Sequence, residues 1–168
     1  PDRNPLSTPS GKIEIYSNAI AADPDLYGLG TIPPIPTWVP PLEIDPEHPL
    51  ALCSPKSRAR THSIHGNQPV LSRVDPDDVW LSRTDAQARG IRNGDRVRVF
   101  NQFGTCLLPA RVTDDIAPGV VAIKEGAWFS PDESGADTAG CANVLSGDRA
   151  SPCGATTYNT NWVQVAPA

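Results

Sequence analysis

"VWLSRTDAQARGIRNGDRVRVFNQFGTCLLPARVTDDIAPGVVAIKEG", residues 79–126, is the most orderly part of this chain. Val79 opens a strand that leads into a short helix near residues 84–89, with Ser82 or Thr84 as N-cap and Gly90 as the stop just past its end. Asn93, Gly94 and Asp95 make a turn. "RVRVF" alternates apolar and charged residues, "NQFG" turns, and "TCLLPARV" returns, which predicts a β-hairpin. "APG" at 117–119 turns once more, into the strand "VVAIKEG". A period of two, interrupted by turn residues, is the signature of β structure.

The same reading extends outward. "LALCS" at 50–54 predicts a buried strand, and "NTNWVQVAP" at 159–167 a last strand carrying Trp162, Val163 and Val165. "GKIEIYS" at 11–17 sets Ile13 and Ile15 against Lys12, Glu14 and Tyr16, and predicts a half-buried strand. Residues 31–49, "TIPPIPTWVPPLEIDPEHP", hold seven of the 19 prolines. Proline fixes φ and removes a donor, so this is an extended strap, and Ile32, Ile35, Trp38 and Val39 suggest that it packs down. With about six or seven strands and one or two short helices, the chain reads as mainly β with short helices, closed into a barrel. Residues 1–49 are then an N-terminal strand and strap, and residues 50–168 the barrel.

At 168 residues this is one domain, with or without an extended appendage. Methionine is absent, and the opening "PDRNPLSTPSGKIE" has neither the charged start nor the apolar core of a signal peptide. The chain therefore reads as a piece cut from a longer protein. Its apolar runs are too short to insert in a membrane. The net charge of −5 argues against nucleic acid as a partner. That charge is unevenly spread: residues 54–74 carry Lys56, Arg58, Arg60 and Arg73 and no acid, so the stretch is +4 and the remainder −5 − 4 = −9. A basic loop on an acidic protein suits a small anion better than a polyanion. Cys53, Cys106, Cys141 and Cys153 show no metal-finger spacing. Cys53 and Cys106 read as core residues, and Cys141 and Cys153 lie where a disulfide is possible.

The basic loop contains "RTHSIHGNQ", residues 60–68, with His62 and His65. A zinc site needs more ligands than these two supply, and the surrounding cations would repel a dication. No GxSxG or comparable motif makes Ser63 a nucleophile, and adjacency to His62 is no triad. Neither a metal ligand nor a catalytic residue is assigned. The plain alternative is a structural turn with hydrogen-bonded imidazoles. Against it stands the density of donors leaving one buried strand: Lys56, Arg58, Arg60, Thr61, His62, Ser63, Asn67 and Gln68. Cations, hydroxyls and backbone N–H groups together are how proteins hold phosphate, so the loop reads as an anion cradle. The late segment after residue 126 brings Trp128, able to stack on a planar heterocycle, and Asn143, Asp148, Asn159 and Asn161, able to read its edge. Phe129 reads as core, and the bland alternative for the whole segment is a Gly/Ser/Thr-rich surface loop.

"TPSGKIEIYS", "SPKSRARTHSIHGN", "RTDAQARGIRNGDRVRVFNQFG", "VTDDIAPGVVAIKEGAWF" and "GCANVLSGDRASP…TNWVQV" resemble, in order, the C-terminal domain of the molybdopterin-dinucleotide oxidoreductases of the dimethyl sulfoxide reductase family. The branch that the chain resembles is the catalytic subunit of anaerobic dimethyl sulfoxide reductases. The resemblance runs from about Thr8 to Val165. It implies a double-psi β-barrel that binds part of a bis(molybdopterin guanine dinucleotide) cofactor with molybdenum. It implies that Arg58, Thr61, His62, Ser63 and His65, beside Lys56 of the donor set, hold pterin and pyrophosphate groups. Trp128 and Asn143 would line the pterin side, with Asn161 and Gln164 close to it on the last strand. The iron–sulfur cluster motif and the side chain that ligates molybdenum lie upstream in that family, so this chain alone should not turn over substrate. The implied enzyme reduces a sulfoxide or N-oxide in anaerobic respiration in the bacterial periplasm. Its implied partners are the upstream domains, an iron–sulfur electron-transfer subunit and a membrane anchor subunit. A stand-alone double-psi barrel serving as an anion-binding or adaptor module is the competing reading, because fold does not fix function.

Overall fold

Six strands close a barrel in the order β1-β5-β2-β4-β3-β6 in the computed structural model, which describes residues 4–25, 32–38, 45–147 and 159–168. They are β1 (Leu50–Cys53), β2 (Val79–Ser82), β3 (Arg96–Phe100), β4 (Thr105–Thr113), β5 (Val120–Ile123) and β6 (Asn161–Pro167). β1 runs parallel to β5 and β2 parallel to β4, while the remaining neighbours are antiparallel. The hairpin expected from "RVRVF" and "TCLLPARV" forms in the register Val97↔Leu108 and Val99↔Cys106. This is the mainly β closed barrel that the alternation predicts, and the double-psi barrel that the family resemblance implies.

Alternation places the core. Val97 and Val99 of β3, Leu108 of β4, Val121 and Ile123 of β5, and Val163 and Val165 of β6 point inward and are essentially inaccessible to solvent. Leu50, Leu52, Val79 and Leu81 belong to the same interior, with Ile91 and Leu145. Arg96 and Arg98, at the alternate positions of β3, face solvent. Burial of such side chains, each contributing about 1.5–3 kcal/mol, is the main source of stability. Cys106 is in this core, whereas Cys53 is only half-buried. Cys141 is a free thiol, and Cys153 lies outside the described residues.

Helix α3 (Arg83–Ala88) begins where the sequence places it: the Ser82 hydroxyl caps the N–H of Asp85, and Gly90 takes a left-handed φ of 65° past its end. Two other short helices, α1 (Asn18–Ala22) and α2 (Pro69–Val74), were not predicted. α1 is capped by Ser17, and α2 starts on a proline, which is pre-set for the first helical position.

The chain divides into two compact units, Pro1–Pro41 with Pro152–Gly154 and Leu42–Ser151 with Ala155–Ala168. The first corrects an expectation. "GKIEIYS" forms no strand, and Ile13 is 80% exposed. Most of its hydrogen bonds are local: Gly11 N–H donates to the Thr8 carbonyl, the Thr8 hydroxyl to the Lys12 carbonyl, and Ser10 N–H to Glu14, while Ser17 N–H reaches the strap, at the Pro34 carbonyl. Alternation defines a face, but a strand needs a partner ladder, and none is present among the described residues. In the strap, Ile32 is half-buried while Ile35 and Trp38 stay exposed, because no described neighbour covers them; Thr31 and Val39 lie outside the described residues.

Candidate anion-binding site at one end of the barrel

Parallel pairing decides where the site lies. β1 and β5 leave the barrel at the same end, and β6, antiparallel to β1, enters there with Asn161 opposite Leu52. The basic loop that follows β1, the segment that follows β5 and the start of β6 therefore meet. Ser54 N–H donates to Asn159 Oδ1 at 3.0 Å, and Glu125 N–H to the Pro55 carbonyl at 3.0 Å.

The base of the loop is braced by carboxylates from the segment before β2. The Arg60 guanidinium, nearly buried, grips Asp77 through both oxygens at 2.7 and 2.8 Å and also donates to the Glu125 carbonyl at 3.1 Å. Asp75 Oδ2 accepts from the Ser57 hydroxyl at 2.7 Å and from Arg58 N–H at 2.9 Å. Its other oxygen pairs with buried Lys124 at 2.6 Å, and Lys124 also reaches Asp78 at 3.3 Å and the Pro76 carbonyl. Burial alone would raise the Asp75 carboxyl, but Lys124, the Ser57 hydroxyl and Arg58 N–H outweigh it and hold it at about 2. An ammonium this buried is stable only when paired in this way.

Above that base the backbone is unusual. His62 and His65 have positive φ, 53° and 72°. Side chains rarely adopt that conformation, and it concentrates at functional turns. The chain after β5 crosses tightly here: Gly126, φ 87°, lies so close that a Cβ on it would sit 2.0 Å from the His62 carbonyl oxygen. The N–H groups of His62, Ser63, His65, Gly66 and Asn67 donate to no partner among the described residues. Trp128 lies over the loop, its Nε1–H donating to the Ser63 carbonyl at 2.7 Å, with the ring 53% exposed.

The predicted residues thus fall into groups. Lys56, Arg58, Thr61, His62, Ser63 and His65 share the loop, all exposed, and Trp128 joins them. Asn161 is at the same end of the barrel, its amide 3.3 Å from the Ser146 hydroxyl. Asn143 lies in a cleft of about 570 Å³ lined by Phe103, Thr105, Phe129 and Ser146. Phe129 is therefore not core; it is 57% exposed, because the segment turns outward after buried Ala127. Gln164 goes elsewhere. It sits on the opposite face of β6 from Asn161, accepts from Arg89 Nε at 3.0 Å and donates to the Glu47 carbonyl, beyond the far end of β1. Asp148 lies outside the described residues.

Three residues that shape this region carry no donor signal in the sequence. Asp77 cancels Arg60, and Glu125 takes Lys56 at 2.5 Å and His62 Nδ1 at 3.1 Å. Of the four cations in the +4 stretch, Arg58 and Arg73 are left without a carboxylate partner among the described residues. Asp137, fully buried, accepts from the N–H groups of Ser130, Ala139, Gly140 and Cys141 and so folds the late segment. The free donors, Arg58 and the ring over the loop are the chemistry of a site for phosphate joined to a planar heterocycle.

Comparison with known proteins agrees with this chemistry. The family described as "Molydopterin dinucleotide binding domain" matches residues 50–162. The chain is 44% identical over 174 residues to dimethyl sulfoxide reductase DmsA of Escherichia coli (strain K12), covering 98% of this chain and 21% of that protein. It is 47% identical over 162 residues to the probable dimethyl sulfoxide reductase chain YnfF of the same organism, covering 90% and 20%. It is 37% identical over 156 residues to the dimethyl sulfoxide/trimethylamine N-oxide reductase of Cereibacter sphaeroides, covering 86% and 18%. The chain thus spans about a fifth of the length of these relatives. Among solved structures, acetylene hydratase from Pelobacter acetylenicus superposes with a TM-score of 0.77 over 98% of this chain and 24% of that one, at 20% identity, which shows the fold alone.

Proposed function

This chain belongs to the molydopterin dinucleotide binding domain family, and from that premise we propose that it is the cofactor-binding domain of a molybdenum oxidoreductase that reduces a sulfoxide or N-oxide. The observation that supports this most is the loop of residues 54–68: five unpartnered N–H groups, exposed Arg58 and a tryptophan laid across it, at the barrel end where β1, β5 and β6 meet.

The residues present fit a bis(molybdopterin guanine dinucleotide). The N–H groups of His62 to Asn67, with Arg58, Thr61 and Ser63, would hold pyrophosphate oxygens, and Trp128 would cover a ring. When bound, the molybdenum centre of such a cofactor supplies two-electron oxygen-atom transfer, and the protein contributes binding and orientation. Asp75, Asp77 and Lys124 keep the loop in place before any ligand arrives, which lowers the entropy lost on binding. We propose with it the finer assignments that the family resemblance implies: upstream domains of the same polypeptide, an iron–sulfur electron-transfer subunit with a membrane anchor, a periplasmic setting and anaerobic respiration. Asn143 and Asn161 are proposed at the pterin edge. Gln164, held by Arg89, is proposed to support β6.

The test uses the full-length protein that carries this domain, prepared anaerobically. Acid hydrolysis should release about two GMP per molybdenum. Replacing Arg58 and His62 together by Ala should lower both while leaving the circular dichroism spectrum unchanged. Full molybdenum and GMP in that variant would remove the loop from the binding site. No GMP and no metal in the parent protein would favour the stand-alone anion-binding module.

A further inference from the structure

The phosphate reading of the loop leaves one group unexplained, a carboxylate in the middle of it. Glu125 Oε1 lies 2.5 Å from Lys56 Nζ and 3.1 Å from His62 Nδ1, and the two donors are themselves 3.2 Å apart. Lys56 is 64% exposed and His62 73%, whereas Glu125 is only 29% exposed. The carboxylate is on the protein side, and the Lys56 ammonium and the His62 imidazole open to solvent above it. A ligand oxygen arriving from solvent meets donors already engaged by a resident anion. Lys56 lowers the Glu125 carboxyl below its usual range, so that anion persists at neutral pH.

We propose that Glu125 is a resident counter-anion that a phosphate ligand displaces from Lys56 and His62, and that it thereby sets how much charge an anion needs to occupy the loop. This rests on the loop being a phosphate site, the reading given above. An anion of low charge gains too little from Lys56 to replace a carboxylate at 2.5 Å, whereas a pyrophosphate group carries more charge and also meets Arg58 and the unpartnered N–H groups. Glu125 would in this way bias the loop against small phosphates. Its backbone is anchored independently, through the Pro55 carbonyl and the Arg60 side chain, so the carboxylate can leave without releasing the chain.

The 168-residue chain and its Glu125→Gln variant are titrated by calorimetry at pH 7 with inorganic pyrophosphate and, separately, inorganic orthophosphate. Removing one like charge a few ångström from the ligand should tighten pyrophosphate about tenfold, and orthophosphate at least as much, narrowing the preference between them. Glu125→Asp, which keeps the charge, should not show the gain. In the parent chain Lys56→Met should cost less than about threefold and Arg58→Met about tenfold, because Lys56 is already engaged. These two exposed side chains can be changed without touching the core. Equal or weaker pyrophosphate binding by Glu125→Gln, or a Lys56→Met loss as large as that of Arg58→Met, overturns the inference and leaves the phosphate reading standing. No pyrophosphate binding by either protein overturns both.

Discussion

Asp75→Asn separates what the brace contributes from what the loop contributes. The asparagine has the same shape and keeps an oxygen for Ser57 or Arg58 N–H, but it removes the charge that faces Lys124 at 2.6 Å. Asp75 is depressed from its ordinary 3.8 to about 2. At about 1.4 kcal/mol for each pH unit, the charged form contributes about 2 kcal/mol, and the side chain is only 13% exposed, so screening removes little of it. The sign follows from linkage. A carboxyl whose folded pKa is depressed contributes fully above its unfolded pKa, and that contribution is lost as pH falls through the folded one. The parent chain should therefore exceed Asp75→Asn by about 2 kcal/mol at pH 7, about 1 at pH 3 and less than about 0.5 at pH 2. Urea unfolding followed by tryptophan fluorescence at each pH measures the difference. A gap of less than about 0.5 kcal/mol at pH 7, or one that does not shrink with acid, would refute the assignment of Asp75 as the charged hub.

Gly126→Ala should be more damaging than its size suggests, since a Cβ there would meet the His62 carbonyl at 2.0 Å and the backbone φ is 87°. We expect a loss of about 2–4 kcal/mol in urea unfolding and loss of pyrophosphate binding, whereas Gly119→Ala, also at positive φ but with no neighbour within 4 Å, should cost about 1. Burial raises the thiols of Cys53, Cys106 and Cys141, and Cys106 is wholly inaccessible. At pH 8 Cys106 should be the slowest of these three to react with a disulfide reagent, and mass spectrometry after denaturant release should show it label last.

The hairpin of β3 and β4 could be read from the sequence because period-two alternation and turn residues are local properties. The donor-rich loop was legible for the same reason. What cancels its charge was not: Asp77 is 17 positions from Arg60, on the segment leading into β2, and Glu125 is 69 from Lys56, a pair that exists only once β1 and β5 lie side by side. The +4 stretch thus overstated the free charge. The late segment hid its organiser as well, because nothing marks Asp137 until four N–H groups converge on it. Asn161 and Gln164 were expected together, but they are three residues apart on a strand with a two-residue repeat, which separates their faces. For "GKIEIYS" the pattern specified an apolar face and said nothing about a neighbour to cover it.

The antiparallel seam between β1 and β6 has a mechanical consequence. Leu50, the first residue of β1, lies opposite Val163, the third of the seven residues of β6, and Leu52 lies opposite Asn161, the first. Tension applied between the chain entering β1 and the chain leaving β6 loads the seam's hydrogen bonds one after another, as in opening a zipper, and not all at once in shear. Beyond Val163, β6 is held by β3 from Gln164 to Pro167, so a stretching force on that flank must open this ladder before it reaches the β1–β6 seam. The phosphate loop leaves β1 at the other end of this seam, beside Asn161, so it would be the last part to feel the load.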